Sequence, residues 1–302
     1  MAQPLGLIAG EGRFPLEVAR ALRARGERVV ALGLHGLTDP ALGASVDALH
    51  WLDLGQVVRG LDALAEAGVR EAVMAGKVPK ALLFARAGGA HLDALARGAL
   101  DALPDRADDT LLGAVAAVLA ARGIALHGQA AFTPELLVEE GVLGARAPSD
   151  DERADVAFGL PVARALAGLD VGQSVLVKQR AVIAVEAIEG TDAAIARAGA
   201  LAGPGCALVK VAKPRQDARF DVPVIGPGTV EALAGAGARA LAIESGSAVL
   251  LDRARAIALA DAAGIAVFGL PALAAPPLDA GAPRGARSAA PPSRARAGGG
   301  TA

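Results

Sequence analysis

The chain has 302 residues, a formal net charge of −2 and only 2% aromatic residues, with one tryptophan and no tyrosine. That balance offers neither a basic field nor a stacking platform for a polyanion, so nucleic acid is excluded as a partner. The single cysteine, Cys206, rules out an intrachain disulfide and a cysteine-based zinc cage, and four scattered histidines (His35, His50, His91, His127) argue against a zinc enzyme.

Hydrophobic residues make up 53% of the chain, much of it alanine, enough for the cores of two ordinary domains. The opening MAQPLGLIAG lacks a basic region and a long apolar run, and no segment has about 18 uncharged apolar residues in succession. The expected location is the cytoplasm, with contact at a membrane surface left open.

In chain order, Leu5 to Ala9 reads as a strand, Gly10-Glu11-Gly12 as a turn, and Pro15 to Arg25 as an amphipathic helix with proline in its first turn. Strands follow at Arg28–Leu34 and Val46–Leu54, a helix at Gly55–Ala67, and a strand from Glu71 ending in Gly76-Lys77. This alternation predicts right-handed parallel crossovers and a Rossmann-like layer structure. The first loop is not an NAD fingerprint. Pro15 stands in place of a third glycine, and no acid closes the second strand at Leu34-His35-Gly36. A glycine turn before a helix can still hold a phosphate on its backbone N–H groups, although a plain tight turn explains it equally well.

Helices are expected at His91–Leu103 and Asp109–Ala121, where Asp108 and Asp109 suit a helix start better than a metal. Residues 123–151 are punctuated by Pro134, Gly141, Gly144 and Pro148 and read as an inter-domain region. Ser149-Asp150-Asp151-Glu152 opens the next helix. A hairpin follows around Lys178-Gln179-Arg180, then Glu186, Glu189, Gly190, Thr191 and Asp192 lead into another helix. Helix capping accounts for Thr191 and Asp192 as well as a site role does. After further elements at Val230–Ala234, Ala240–Glu244, Ala248–Asp252, Arg253–Ala263 and Ala266–Leu270, the chain becomes rich in Pro, Gly, Ala and Arg. It is expected to be disordered beyond about residue 276. The fold class is therefore α/β: a Rossmann-like N-terminal domain (1–130), a linker region (131–149), a distinct α/β C-terminal catalytic domain (150–275) and a disordered tail (276–302).

The chemistry concentrates in Leu208–Gly226, LVKVAKPRQDARFDVPVIG. An apolar strand ends at Lys210 and Lys213, Pro214 stops its ladder, and a polar loop carries Arg215, Asp217, Arg219 and Asp221 before a second apolar run. Only five of the 30 basic residues are lysines (Lys77, Lys80, Lys178, Lys210, Lys213), and all lie in or beside predicted strands. A lysine is a compact point charge for phosphate, and a carboxylate among cations can hold a divalent metal or take a proton.

Six segments carry a family resemblance: Gly6-Leu-Ile-Ala-Gly-Glu-Gly12 with Pro15; Ala107-Asp-Asp-Thr-Leu-Leu; Asp170-Val-Gly-Gln; Val185-Glu-Ala-Ile-Glu-Gly-Thr-Asp192; Lys210-Val-Ala-Lys-Pro214; and Asp221-Val-Pro-Val-Ile-Gly226. Through them the chain resembles the UDP-2,3-diacylglucosamine pyrophosphatases of lipid A biosynthesis. The E-x-x-E-G-T-D and K-x-x-K-P segments are specific together. The resemblance implies hydrolysis of UDP-2,3-diacylglucosamine to UMP and 2,3-diacylglucosamine 1-phosphate, with substrate between two domains and a divalent cation, Mg2+ or Mn2+, required. It also implies a homodimer, and points to Asp221 as catalytic.

Splitting a pyrophosphate needs positive charge on its oxygens and an oriented water. The expected catalytic residues are Asp221, Lys210 and Lys213. Gly10, Glu11, Gly12, Lys77, Gly190, Thr191, Asp192 and Lys213 would bind substrate, and Asp221 and Glu186 would bind the metal. A non-catalytic nucleotide or phospholipid sensor using the same cations is the competing reading, and a nucleotide-dependent oxidoreductase a third.

Overall fold

Apolar runs that start near the chain's beginning recur with helices between them, and they assemble as the alternation predicts. In the computed structural model, which describes residues 3–79, 92–105, 108–213, 219 and 222–271, the N-terminal half holds β1 (Leu5–Ala9), β2 (Val29–Leu34), β3 (Ala48–Leu52), β4 (Glu71–Ala75) and β5 (Ala125–His127). They form one sheet in the order β3-β2-β1-β4-β5, parallel throughout. The chain leaves β1 toward β2 on one side and reaches β4 on the other. The carboxyl ends of β1 and β4 therefore flank the topological switch point, where open α/β sheets bind ligands.

Helix α1 (Phe14–Ala24) follows the glycine turn and buries Phe14, Leu16, Val18 and Leu22, the periodic face the sequence shows. Helices α2 (Val57–Glu66), α3 (Ala94–Asp101) and α4 (Asp108–Ala121) complete this half.

The stretch read as a linker is more ordered than its glycines and prolines suggest. It contains two 3-10 turns and β6 (Gly141–Val142), which pairs antiparallel with β13 (Ala266–Leu270). Helix α5 (Asp150–Gly168) starts on a full capping box: Ser149 accepts from the Glu152 N–H, and Glu152 accepts from the Ser149 N–H. Gly159 lets this helix approach closely, because a Cβ there would lie 2.7 Å from a Val177 methyl.

The second sheet is mixed, in the order β6-β13-β11-β9-β7-β8, with β7 (Ser174–Lys178), β8 (Ala181–Val185), β9 (Ala207–Lys210) and β11 (Ala240–Glu244). The predicted hairpin joins β7 to β8. Its turn residues Gln179 and Arg180 both have positive φ, and the buried Asp155 carboxylate accepts both of their N–H groups, at 3.0 and 2.6 Å. Helices α6 (Thr191–Ala202), α7 (Pro227–Gly235) and α8 (Arg253–Ala262) cover it.

The two halves share a core. A two-stranded parallel ribbon, β10 (Val224–Ile225) and β12 (Val249–Leu250), brings Val222, Val224, Val249 and Leu251 against the cluster built on Leu7, Leu16 and Val73. The second apolar run of the 208–226 stretch is thus the seam between the halves. Asp221, Asp217, Arg215, Pro214 and Lys80 lie outside the described residues, as does the expected disordered tail.

Candidate active site

A glycine turn is useful only if its backbone is held, and here β4 holds it. The Gly10 N–H donates to Ala75 O at 2.8 Å. Glu11 and Lys77 exchange backbone hydrogen bonds, Glu11 N to Lys77 O at 2.7 Å and Lys77 N to Glu11 O at 3.1 Å. A Cβ on Gly10 would meet the Lys77 carbonyl oxygen at 2.5 Å, so only glycine permits this approach. Gly12 and Gly76 have φ of +95° and +89°. Gly10, Glu11, Gly12 and Lys77 are therefore one rigid unit at the switch point.

The second unit forms around Lys210, the last residue of β9. The antiparallel register pairs Ser174 with Lys210, and the Glu186 N–H donates to Ser174 O at 2.8 Å, so β7, the exit of β8 and the end of β9 converge. Lys210 Nζ donates to Ser174 Oγ at 3.0 Å and to Thr191 Oγ1 at 2.9 Å, and lies 3.6 Å from Glu186 Oε2. Thr191 Oγ1 in turn donates to Glu186 Oε1 at 2.7 Å.

Burial pushes the Lys210 amine down. The Glu186 carboxylate pulls it back, Lys77 depresses it further and Asp192 raises it, leaving it below its ordinary value. Burial pushes Glu186 up, but Lys210 and the donors at Ser174, Thr191 and Gln173 outweigh this, so its carboxyl sits below its ordinary value. Lys77 belongs to the N-terminal half and Lys210 to the C-terminal half.

These contacts sharpen the role of each residue. The side chain of Lys210 is only 5% exposed; it donates to Ser174 and Thr191 and pairs with Glu186 at 3.6 Å. It is a fixed buried charge behind the Gly190–Thr191 turn, whereas Lys213 is 32% exposed and reaches Asp170 at 2.6 Å. Gly190, with φ of +84°, caps α6, and Asp192 lies in the first turn of that helix. Sequence reasoning passed over Ser174, which holds Lys210. It also passed over Glu244, a buried acid at the end of β11. Glu244 accepts from the Ala212 N–H at 3.0 Å and pairs with Arg164 at 3.4 Å, fixing the strand exit that carries Lys213.

Among the described residues, no three His, Cys, Asp or Glu side chains cluster to hold a metal. Glu186 offers one candidate donor, Oε2, buried and without a hydrogen bond. A hard divalent cation that takes one or two carboxylates plus substrate oxygens fits such a donor set, but not Glu186 alone.

A parallel sheet with a glycine turn and lysine at its switch point, joined to a second α/β half with a buried lysine–carboxylate centre, defines a two-half α/β protein. Its lineage is specific: the chain belongs to the LpxI family, with the LpxI N-terminal domain matching residues 4–136 and the LpxI C-terminal domain residues 139–268. A protein from Caulobacter vibrioides (strain ATCC 19089 / CIP 103742 / CB 15), named UDP-2,3-diacylglucosamine pyrophosphatase LpxI, is 34% identical over 284 residues, covering 88% of this chain and 97% of that one. A solved structure described as "Crystal structure of gox2253" covers 89% of this chain and 77% of its own, at 14% identity and a TM-score of 0.27, too low to carry an argument.

Proposed function

We propose that this protein hydrolyses the pyrophosphate of UDP-2,3-diacylglucosamine, releasing UMP and 2,3-diacylglucosamine 1-phosphate for lipid A biosynthesis. The observation that carries this reading is the 34% identity, over 88% of this chain, to a protein named UDP-2,3-diacylglucosamine pyrophosphatase, supported by the Gly10–Gly12 turn locked against Lys77 at the switch point. In the proposed reaction a water oxygen attacks one phosphorus and the bridging P–O bond breaks. The leaving phosphate takes the bond's electron pair, and the water proton passes to a base.

The Gly10–Gly12 turn and Lys77 bind one phosphate, and Lys213 with the Gly190–Thr191 turn binds the other. Lys210 positions Thr191 and Glu186 and supplies fixed positive charge. Asp221, carried over from the family motif, is the proposed base or metal ligand. A bound Mg2+ or Mn2+ would neutralise charge on the phosphate oxygens, held by Asp221 with Glu186 Oε2 as a second donor.

An apolar rim supports a lipid substrate. Leu169, Val171 and Ile188 are exposed, Ile188 fully so, on the two loops that meet where Gly172 packs on the Glu186 carbonyl, next to Lys213 and Glu186. No helix among the described residues is long and apolar enough to cross a membrane. We extend the proposal to transient contact of this rim with the cytoplasmic face of the inner membrane, and to a homodimer. The test is UMP release from the lipid nucleotide with and without divalent cation. Binding without turnover under any divalent cation would sink the proposal in favour of a sensor.

A further inference from the structure

A cleft of about 540 Å3 opens at the carboxyl ends of β2 and β3, and the reaction above makes no use of it. Its walls include His35, Thr38, Asp39 and Trp51. We propose that this cleft is the nucleoside subsite. The base stacks on the Trp51–His35 wall, the ribose lies by Asp39, and the 5′-phosphate runs to the Gly10–Gly12 turn. The base being uracil rests on the function proposed above; the subsite itself rests on geometry.

Four observations converge. The chain has one tryptophan, and it stands partly buried at this cleft instead of in either core. Its ring packs over Gly33, where a Cβ would come within 3.1 Å of it, so only glycine leaves room for the ring there. His35 stacks on it with ring centroids 5.4 Å apart and planes at 20°. At that spacing the two rings pack as one aromatic wall of the cleft.

The second observation concerns Thr38, buried at 5% exposure. Its hydroxyl donates to Ala9 O at 2.8 Å and accepts the Leu34 N–H at 2.9 Å. The cleft is therefore tied to the last residue of β1, the one before the glycine turn. The cleft wall is thereby bonded to the residue that precedes Gly10–Gly12, the turn that would take the 5′-phosphate.

Third, the carboxylate missing from the end of β2 stands a few residues further on. Asp39 accepts the Ala41 N–H at 2.9 Å, which fixes it at the cleft as a possible acceptor for ribose hydroxyls. Fourth, the volume lies in the range of small-ligand sites, and the cleft sits along the carboxyl edge next to the switch point, where parallel sheets bind nucleotides.

Trp51 is its own reporter. UMP should quench its fluorescence saturably, while inorganic phosphate and 2,3-diacylglucosamine 1-phosphate should not. His35→Ala should weaken UMP binding about tenfold and raise KM with kcat little changed, since one stacking partner is lost. Trp51→Phe, measured by calorimetry, should weaken it less, with circular dichroism confirming the fold. Hydrolysis of the lipid nucleotide with UMP affinity unchanged in both variants would overturn the subsite and leave the reaction standing. UMP quenching in a protein that hydrolyses nothing would do the reverse.

Discussion

Replacing Lys210 with methionine tests the buried centre most severely. The change keeps most of the side-chain volume and removes the ammonium. Glu186 then loses the positive charge 3.6 Å from its buried Oε2, an oxygen with no hydrogen bond to replace it. The side chains are 5% and 12% exposed, so solvent cannot take over. Stranding one member of a buried ion pair costs about 3–5 kcal/mol. Glu186→Gln should cost a similar amount by stranding the amine. The double variant should recover much of the loss, with a coupling energy of about 2 kcal/mol or more. Urea unfolding of the four proteins measures this. UMP release should fall in all three variants, because Thr191 loses its position even where stability returns. Additive stability losses, or a Lys210→Met cost under about 1 kcal/mol, would refute the reasoning.

Further outcomes follow from other contacts. Gly10→Ala drives a Cβ to 2.5 Å from the Lys77 carbonyl oxygen, which is backbone and cannot swing aside. We expect a stability loss of about 2–4 kcal/mol by thermal unfolding and a parallel loss of turnover. Arg146 grips Glu152 with two bonds of 2.8 Å and also donates to Gly264 O at 3.0 Å, so Arg146→Ala should cost about 2 kcal/mol. Burial raises Glu152, but Arg146 and Ser149 hold its carboxyl below its ordinary value. Its contribution is therefore present above an unfolded pKa of about 4.3 and lost as pH falls through the lower folded value. The gap between wild type and Glu152→Gln should close over that window in acid unfolding. Leu169→Ser with Ile188→Ser should impair hydrolysis of substrate in vesicles while leaving UMP affinity intact; equal activity on vesicles would remove the lipid-facing role of the rim.

Much of this was legible in the sequence because the relevant forces are local. Apolar runs alternating with amphipathic helices specify β1 to β4, and Ser149 with Glu152 specifies the start of α5. The positions of Lys77 and Lys210 at strand ends also follow from pattern alone. What escaped depends on register and on long-range packing. Ser174 matters only because the antiparallel pairing sets it opposite Lys210, a correspondence no linear spacing reveals. The ribbon of β10 and β12 has two residues in each strand, too short for periodicity, and it is specified by burial against the other half. Lys210 reads as an open phosphate ligand in one dimension, but it donates inward to Ser174 and Thr191 and pairs with the buried Glu186. Trp51 looks like any strand residue until His35 is stacked upon it.

The most direct measurement is product analysis with purified protein, UDP-2,3-diacylglucosamine and Mg2+, comparing wild type with Asp221→Ala. Wild type should release UMP and 2,3-diacylglucosamine 1-phosphate in equal amounts, and chelation should stop it. Asp221→Ala should bind the lipid nucleotide and fail to cleave it. Release of UDP in place of UMP, or full turnover by Asp221→Ala, would contradict the proposed reaction or the role given to Asp221, respectively.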